Sequence, residues 1–228
     1  MTQLLISVTD IHEAHLALMH GADLIDLKDP KQGALGALPI ATIQEVVSFV
    51  NAHRVHPKQY TSATIGDLPM EADLISQQVL AVARTKVDFV KIGFFESDDY
   101  QPCLDALREM VEKGIKIIAV LFAESTYPTH LIHQIKNAGF YGVMLDTAKK
   151  NGATFLDYYP EEKMLSFSRE VKTNEMAFGL AGSLTIKHIP KVTTYNPTYI
   201  GFRGGVSMDN QRKLSLDGEK IKAIRQLL

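Results

Sequence analysis

Short apolar runs rich in Val, Ile and Phe recur along the chain at intervals of roughly 20 to 30 residues, each followed by a longer stretch with apolar positions at helical spacing. The runs that read as strands are Leu4–Val8, Leu24–Lys28, Thr61–Ile65, Phe89–Gly93, Ile117–Phe122, Gly142–Asp146, Ala177–Ala181 and Tyr199–Arg203. Between them Ile11–His20, Ala41–Ala52 and Ser97–Lys113 carry amphipathic helical spacing, and Gly21, Gly114 and Gly139 stand where helices would stop. Strand and helix in regular alternation imply a parallel sheet with right-handed crossovers, and eight such units favour closure into a (β/α)8 TIM barrel. An open doubly wound sheet shares the alternation. Its glycine-rich dinucleotide turn is missing, because Thr9 and Asp10 follow Val8 directly. No linker, low-complexity segment or charge block interrupts the pattern, so residues 1–228 read as one α/β barrel domain.

Composition narrows the function classes. The 46% hydrophobic content suits a sheet covered on both faces. Twenty-four Lys and Arg against 26 Asp and Glu leave no basic excess, so neither nucleic acid nor an anionic membrane is an expected partner. Cys103 is the single cysteine, which excludes an intramolecular disulfide and a cysteine zinc cage; it reads as helix packing. The N-terminus lacks a basic segment before its apolar run and reaches Asp10 early, and Ile117–Ala123 is far shorter than the roughly 20 residues of a spanning helix. A cytoplasmic protein is expected.

In a barrel, chemistry sits at the C-terminal ends of the strands. Along Leu24–Lys28 the period of two puts Asp26 and Lys28 on one face and Ile25 and Leu27 on the other. Along Phe89–Gly93, Lys91 shares a face with Phe89 and Gly93, and the sixth run ends in Asp146. Two lysines and two aspartates therefore converge on the barrel mouth. A lysine amine freed of its proton by burial and neighbouring cations attacks carbonyls to form Schiff bases, and a carboxylate shuttles the protons. The same charges could instead be ion pairs that close the barrel. Two pairs at one level, where Val, Ile and Leu are usual, favour chemistry.

The last two strand ends differ in character. Leu180-Ala181-Gly182-Ser183 leads towards a helix near Thr185, and Gly201-Phe202-Arg203-Gly204-Gly205 follows the eighth strand. Glycine lets backbone approach an anion, Arg203 can clamp one by two hydrogen bonds, and these loops commonly bind phosphate in this fold. The pairs His53/His56 and His130/His133 lack a third ligand or a strand-end position, and read as surface rather than metal site.

The blocks LIDLKDPKQGALGA (24–37), SATIGD (62–67), FVKIG (89–93), VMLDT (143–147) and LAGS (180–183), in this order, closely resemble the (5-formylfuran-3-yl)methyl phosphate synthase family. The resemblance implies a lyase that condenses two molecules of glyceraldehyde 3-phosphate, with loss of phosphate and water, into the furan precursor of methanofuran and related one-carbon carriers. It implies Lys28 as the Schiff-base lysine, Lys91 in proton transfer, and Asp26 and Asp146 as acidic partners, with no metal or redox cofactor. Lys150, next to Lys149, matches a family lysine beyond the sixth strand. Two phosphorylated substrates need two anion sites: Gly182, Ser183, Arg203 and Gly204 are candidates for one, Lys31 and Lys150 for the other. The stretch Ala123–His133 and the tail after Arg203 depart from the family pattern. A class I aldolase acting on triose phosphates and a non-catalytic phosphosugar-binding barrel remain the alternatives, and a homo-oligomer is the default expectation for such a barrel.

Overall fold

A computed structural model describes residues 2–149 and 151–228. Eight parallel strands, β1 (Gln3–Val8), β2 (Leu24–Leu27), β3 (Tyr60–Thr64), β4 (Phe89–Gly93), β5 (Ile117–Phe122), β6 (Gly142–Asp146), β7 (Ala177–Leu180) and β8 (Tyr199–Phe202), pair in sequence order and close as β8 meets β1. Helices α1 (Ile11–Met19), α2 (Ile40–His53), α3 (Ala72–Ala83), α4 (Gln101–Glu112), α5 (Leu131–Asn137), α6 (Glu161–Thr173), α7 (Ile189–Thr193) and α8 (Gly218–Arg225) follow the strands in turn. The architecture is the expected (β/α)8 barrel.

Alternation along each strand builds two separate cores. Leu4, Ile6, Ile25, Leu27, Val90 and Ile92 face outward and pack under the helices. Leu5, Leu24, Phe89, Ile118, Met144 and Tyr199 face inward and fill the barrel. Leu24, Phe89 and Tyr199 open their strands, so the N-terminal end of the barrel is plugged by apolar and aromatic side chains. Asp26, Lys28 and Lys91 share the inward face, further along.

Four strand readings need trimming by one residue at the C-terminal end, because Lys28, Ile65, Ala181 and Arg203 lie just past the ladder. The amides of Lys28, Ile65 and Ala181 still donate to Val8, Lys91 and Leu145 carbonyls, so these residues leave the sheet only as the chain turns into its loop. Helix α4 begins at Gln101 rather than Ser97: the Asp99 carboxylate accepts the Gln101 amide at 2.8 Å, and Pro102 fits only the first turn. The helix expected near Thr185 is a 3-10 turn, Ile186–His188, running into the short α7. Gly21, Gly114 and Gly139 all take positive φ as helix stops. Cys103 is buried in α4. His53, His56, His130 and His133 are exposed. Among the described residues no helix is long and apolar enough to cross a membrane.

Candidate active site

The register of β1, β2 and β3 puts Ser7, Asp26 and Ser62 side by side, and the pleat turns all three inward. Asp26 Oδ2 accepts the Ser7 hydroxyl at 2.9 Å, while Oδ1 accepts the Ser62 hydroxyl at 2.6 Å and Lys91 Nζ at 3.0 Å. Asp26 and Lys91 are 0% and 1% exposed. Burial by itself would raise the Asp26 carboxyl, but the charges of Lys91 and Lys28 and the hydrogen bonds from Ser62 and Lys91 outweigh it and hold the group below the usual carboxylate range. A buried ion pair is tolerable only when its remaining lone pairs are satisfied, and here hydroxyls satisfy them.

Lys28 lies two residues beyond Asp26 on the same face. Its Nζ stands 4.0 Å from Asp146 Oδ2, a longer separation than that of Lys91 from Asp26. Asp146 is itself oriented, because its Oδ1 accepts the Thr147 amide at 2.7 Å. Asp26, Lys28, Lys91 and Asp146 all line one cavity of about 1080 Å³ at the C-terminal ends of the strands.

Of the anion-site candidates, Lys31, Gly182, Ser183, Arg203 and Gly204 line the same cavity. Lys31 is exposed on the loop after β2. Gly182 and Ser183, after β7, have φ of +104° and +53°, and a Cβ on Gly182 would stand 2.9 Å from Thr147 Cγ2, so only glycine lets the β7 turn press on the β6 turn. Gly204 lines the wall beyond β8. Lys150 lies outside the described residues.

Arg203 requires a correction. It lines the cavity, but its five N–H groups are already committed: two to the Glu13 carboxylate, and one each to the carbonyls of Ser7, Arg212 and Leu214. No donor remains for an anion, and the guanidinium acts as a strut. The reason is tertiary: barrel closure brings the first turn of α1 beside the end of β8, where the capping arrangement of Asp10, Thr9 and Glu13 holds the carboxylate in reach.

Arg212 and His188 are among the lining residues that escaped the sequence reading. Arg212 comes from the loop after β8, where the basic pair in Gln211-Arg212-Lys213 was the available signal. His188 closes the 3-10 turn after β7, and its Nδ1 accepts the Thr185 amide at 2.9 Å, so Nε2 carries the proton. Burial and then Lys187 lower its pKa, against an opposing pull from Asp157, which keeps the ring neutral near pH 7. The pattern T-x-x-H before a helix was the signal for this cap. Among the described residues no group of three or more His, Cys, Asp or Glu is placed to hold a metal ion. The cavity thus offers amines, carboxylates and hydroxyls, which suit carbonyl addition and proton transfer.

Solved structures related by fold include phosphoribosyl anthranilate isomerase from Thermus thermophilus, at TM-score 0.69 and 15% identity, covering 99% of this chain and 98% of that one. Another is 3-hexulose-6-phosphate synthase from Salmonella typhimurium, at TM-score 0.65 and 13% identity, covering 100% and 98%. At such identity they establish the barrel alone. Sequence relatives say more. A Methylorubrum extorquens protein, provisionally named as a (5-formylfuran-3-yl)methyl phosphate synthase, is 38% identical over 220 residues, 96% of this chain and 88% of its own. The (5-formylfuran-3-yl)methyl phosphate synthases of Methanococcus maripaludis strain C7 and Methanocaldococcus jannaschii are each 31% identical, the first covering 98% of this chain and 99% of its own, the second 98% of both. The 4-HFC-P synthase family model matches residues 4–225, and the chain belongs to this family of enzymes.

Proposed function

We propose that this enzyme condenses two molecules of glyceraldehyde 3-phosphate into (5-formylfuran-3-yl)methyl phosphate, releasing one phosphate and two waters, with Lys28 as the covalent catalyst. The observation that carries the reading is the pairing of Lys28 with Asp146 at 4.0 Å, directly beyond a fully buried Lys91–Asp26 pair in the same cavity.

The Lys28 amine adds to the aldehyde of one triose, and loss of water gives an imine. The imine withdraws electrons and acidifies the neighbouring C–H bond, so removal of that proton yields an enamine through which the carbon–carbon bond between the two trioses forms. Phosphate leaves by elimination, ring closure and dehydration make the furan, and hydrolysis returns Lys28. Each stage moves a proton. Lys91, held by Asp26, serves this role from the barrel floor, and Asp146 serves it beside Lys28. Gly182, Ser183 and Gly204 for one phosphate, and Lys31 with Lys150 for the other, are the proposed contacts. The product would supply the furan of methanofuran-type carriers, as the family resemblance implies.

The test is incubation with glyceraldehyde 3-phosphate while ultraviolet absorption of a conjugated furaldehyde and release of inorganic phosphate are followed together. Both signals are expected, in equal amounts. An aldol product without furan would mean a simple aldolase, and neither signal would leave a binding barrel; either outcome overturns the proposal.

A further inference from the structure

Arg203, spent as a donor, fixes another arginine. Its Nε donates to the carbonyl of Arg212 at 2.8 Å and its Nη2 to that of Leu214 at 3.0 Å. The base of the same loop is tied by an antiparallel bridge between Ser207 and Leu216, and by Lys220 Nζ on the Ser207 carbonyl and Asn210 Oδ1. The backbone that carries Arg212 is therefore held firmly while its side chain lies half-buried along the cavity wall.

Among the described residues that guanidinium makes one hydrogen bond, from Nη2 to the Gly33 carbonyl at 3.0 Å, and no carboxylate stands within 4.0 Å of it. Asp29, Asp67 and Asp146 act on its charge from further off, with Arg203 opposing them, and burial pushes its pKa down. The three aspartates are engaged elsewhere. Asp67 accepts the amides of Ala34 and Leu35, Asp29 accepts the Lys31 amide and the Gln32 side chain, and Asp146 accepts the Thr147 amide. A half-buried cation with no ion-pair partner among the described residues is costly, and a guanidinium on a cavity wall with N–H groups that no described residue engages offers the planar fork that matches phosphate oxygens.

We propose that Arg212, rather than Arg203, is the guanidinium that grips a substrate phosphate, and that it selects phosphorylated over unphosphorylated trioses. The assignment rests on the phosphorylated-substrate reading above. Gly33 sets the orientation of the fork, and the Glu13–Arg203 strut sets its position.

The experiment compares wild type with Arg212→Gln, which removes the charge but can still donate to the Gly33 carbonyl, and with Arg212→Lys. Inorganic phosphate is titrated calorimetrically, and borohydride trapping of the imine is measured against glyceraldehyde 3-phosphate and against glyceraldehyde. Arg212→Gln should weaken phosphate binding and raise half-saturation by the phosphorylated triose about ten- to a hundredfold, the loss of a charge-assisted contact. Half-saturation by glyceraldehyde should not move, and Arg212→Lys should recover part of the loss. Unchanged phosphate affinity, no phosphate binding by wild type, or an equal loss with glyceraldehyde would overturn the assignment. If wild type traps no imine with either triose, the condensation reading fails, and the phosphate titration alone then decides for or against Arg212.

Discussion

Asp26 carries a charge at full burial because three hydrogen bonds and two lysines offset the cost of leaving water. Asp26→Asn would strand the Lys91 charge, with an expected loss of about 3–5 kcal/mol by chemical denaturation. Lys91→Met would strand the carboxylate instead. The Asp26→Asn/Lys91→Met double variant should be more stable than the sum of the single losses predicts, while remaining inactive. The sign of the pH effect follows. With a folded pKa below its ordinary 3.8, Asp26 stabilises wild type above that value, and the contribution disappears as pH falls through the lower folded pKa. In Lys91→Met burial dominates and raises the folded pKa, so the contribution is present at low pH and lost as pH rises. Denaturation midpoints should therefore rise with pH below about 4 and then level off for this site in wild type, and fall with rising pH above about 4 in Lys91→Met. The inward pairing of Asp26 and Lys28 was legible from a period of two; the spent state of Arg203 was not, since its carboxylate partner Glu13 lies 190 residues away in the chain.

Among the elements, the loops after β7 and β8 carry the consequences. Glu13→Ala would leave the Arg203 charge without its counterion, with an expected cost of about 3–5 kcal/mol. It should also release the segment that Arg203 anchors, so the amides of Met208 and Leu214, bonded within that loop, should exchange with solvent faster than in wild type. Gly182→Ala meets both a φ of +104° and a contact with Thr147, so it should cost about 1–3 kcal/mol and shift the β6 and β7 turns. A folded protein by thermal melt with at least tenfold lower turnover is the expected result. Strand cores and glycine stops were readable because period and backbone freedom are local. Helix starts were less so: the turn in which the Asp99 carboxylate accepts the Gln101 amide, with Pro102 behind it, and not the apolar spacing, marks where α4 begins.

At the scale of the whole molecule, one barrel divides its interior between an apolar plug at the strand starts and a charged floor beneath an open cavity. Eight repeated beats in the sequence were enough to foresee closure. The consequence of closure, that α1 and the β8 loop share a strut and that Arg212 thereby faces the cavity, depends on pairing between the first and last strands and has no local signature. The proposed chemistry turns on one covalent bond. Borohydride reduction in the presence of glyceraldehyde 3-phosphate, followed by mass mapping of the modified lysine, should find a single adduct on Lys28, absent from Lys28→Met and undiminished by competing unphosphorylated glycerol. An adduct on Lys91 or another lysine, or furan formation with no trappable adduct, would contradict it.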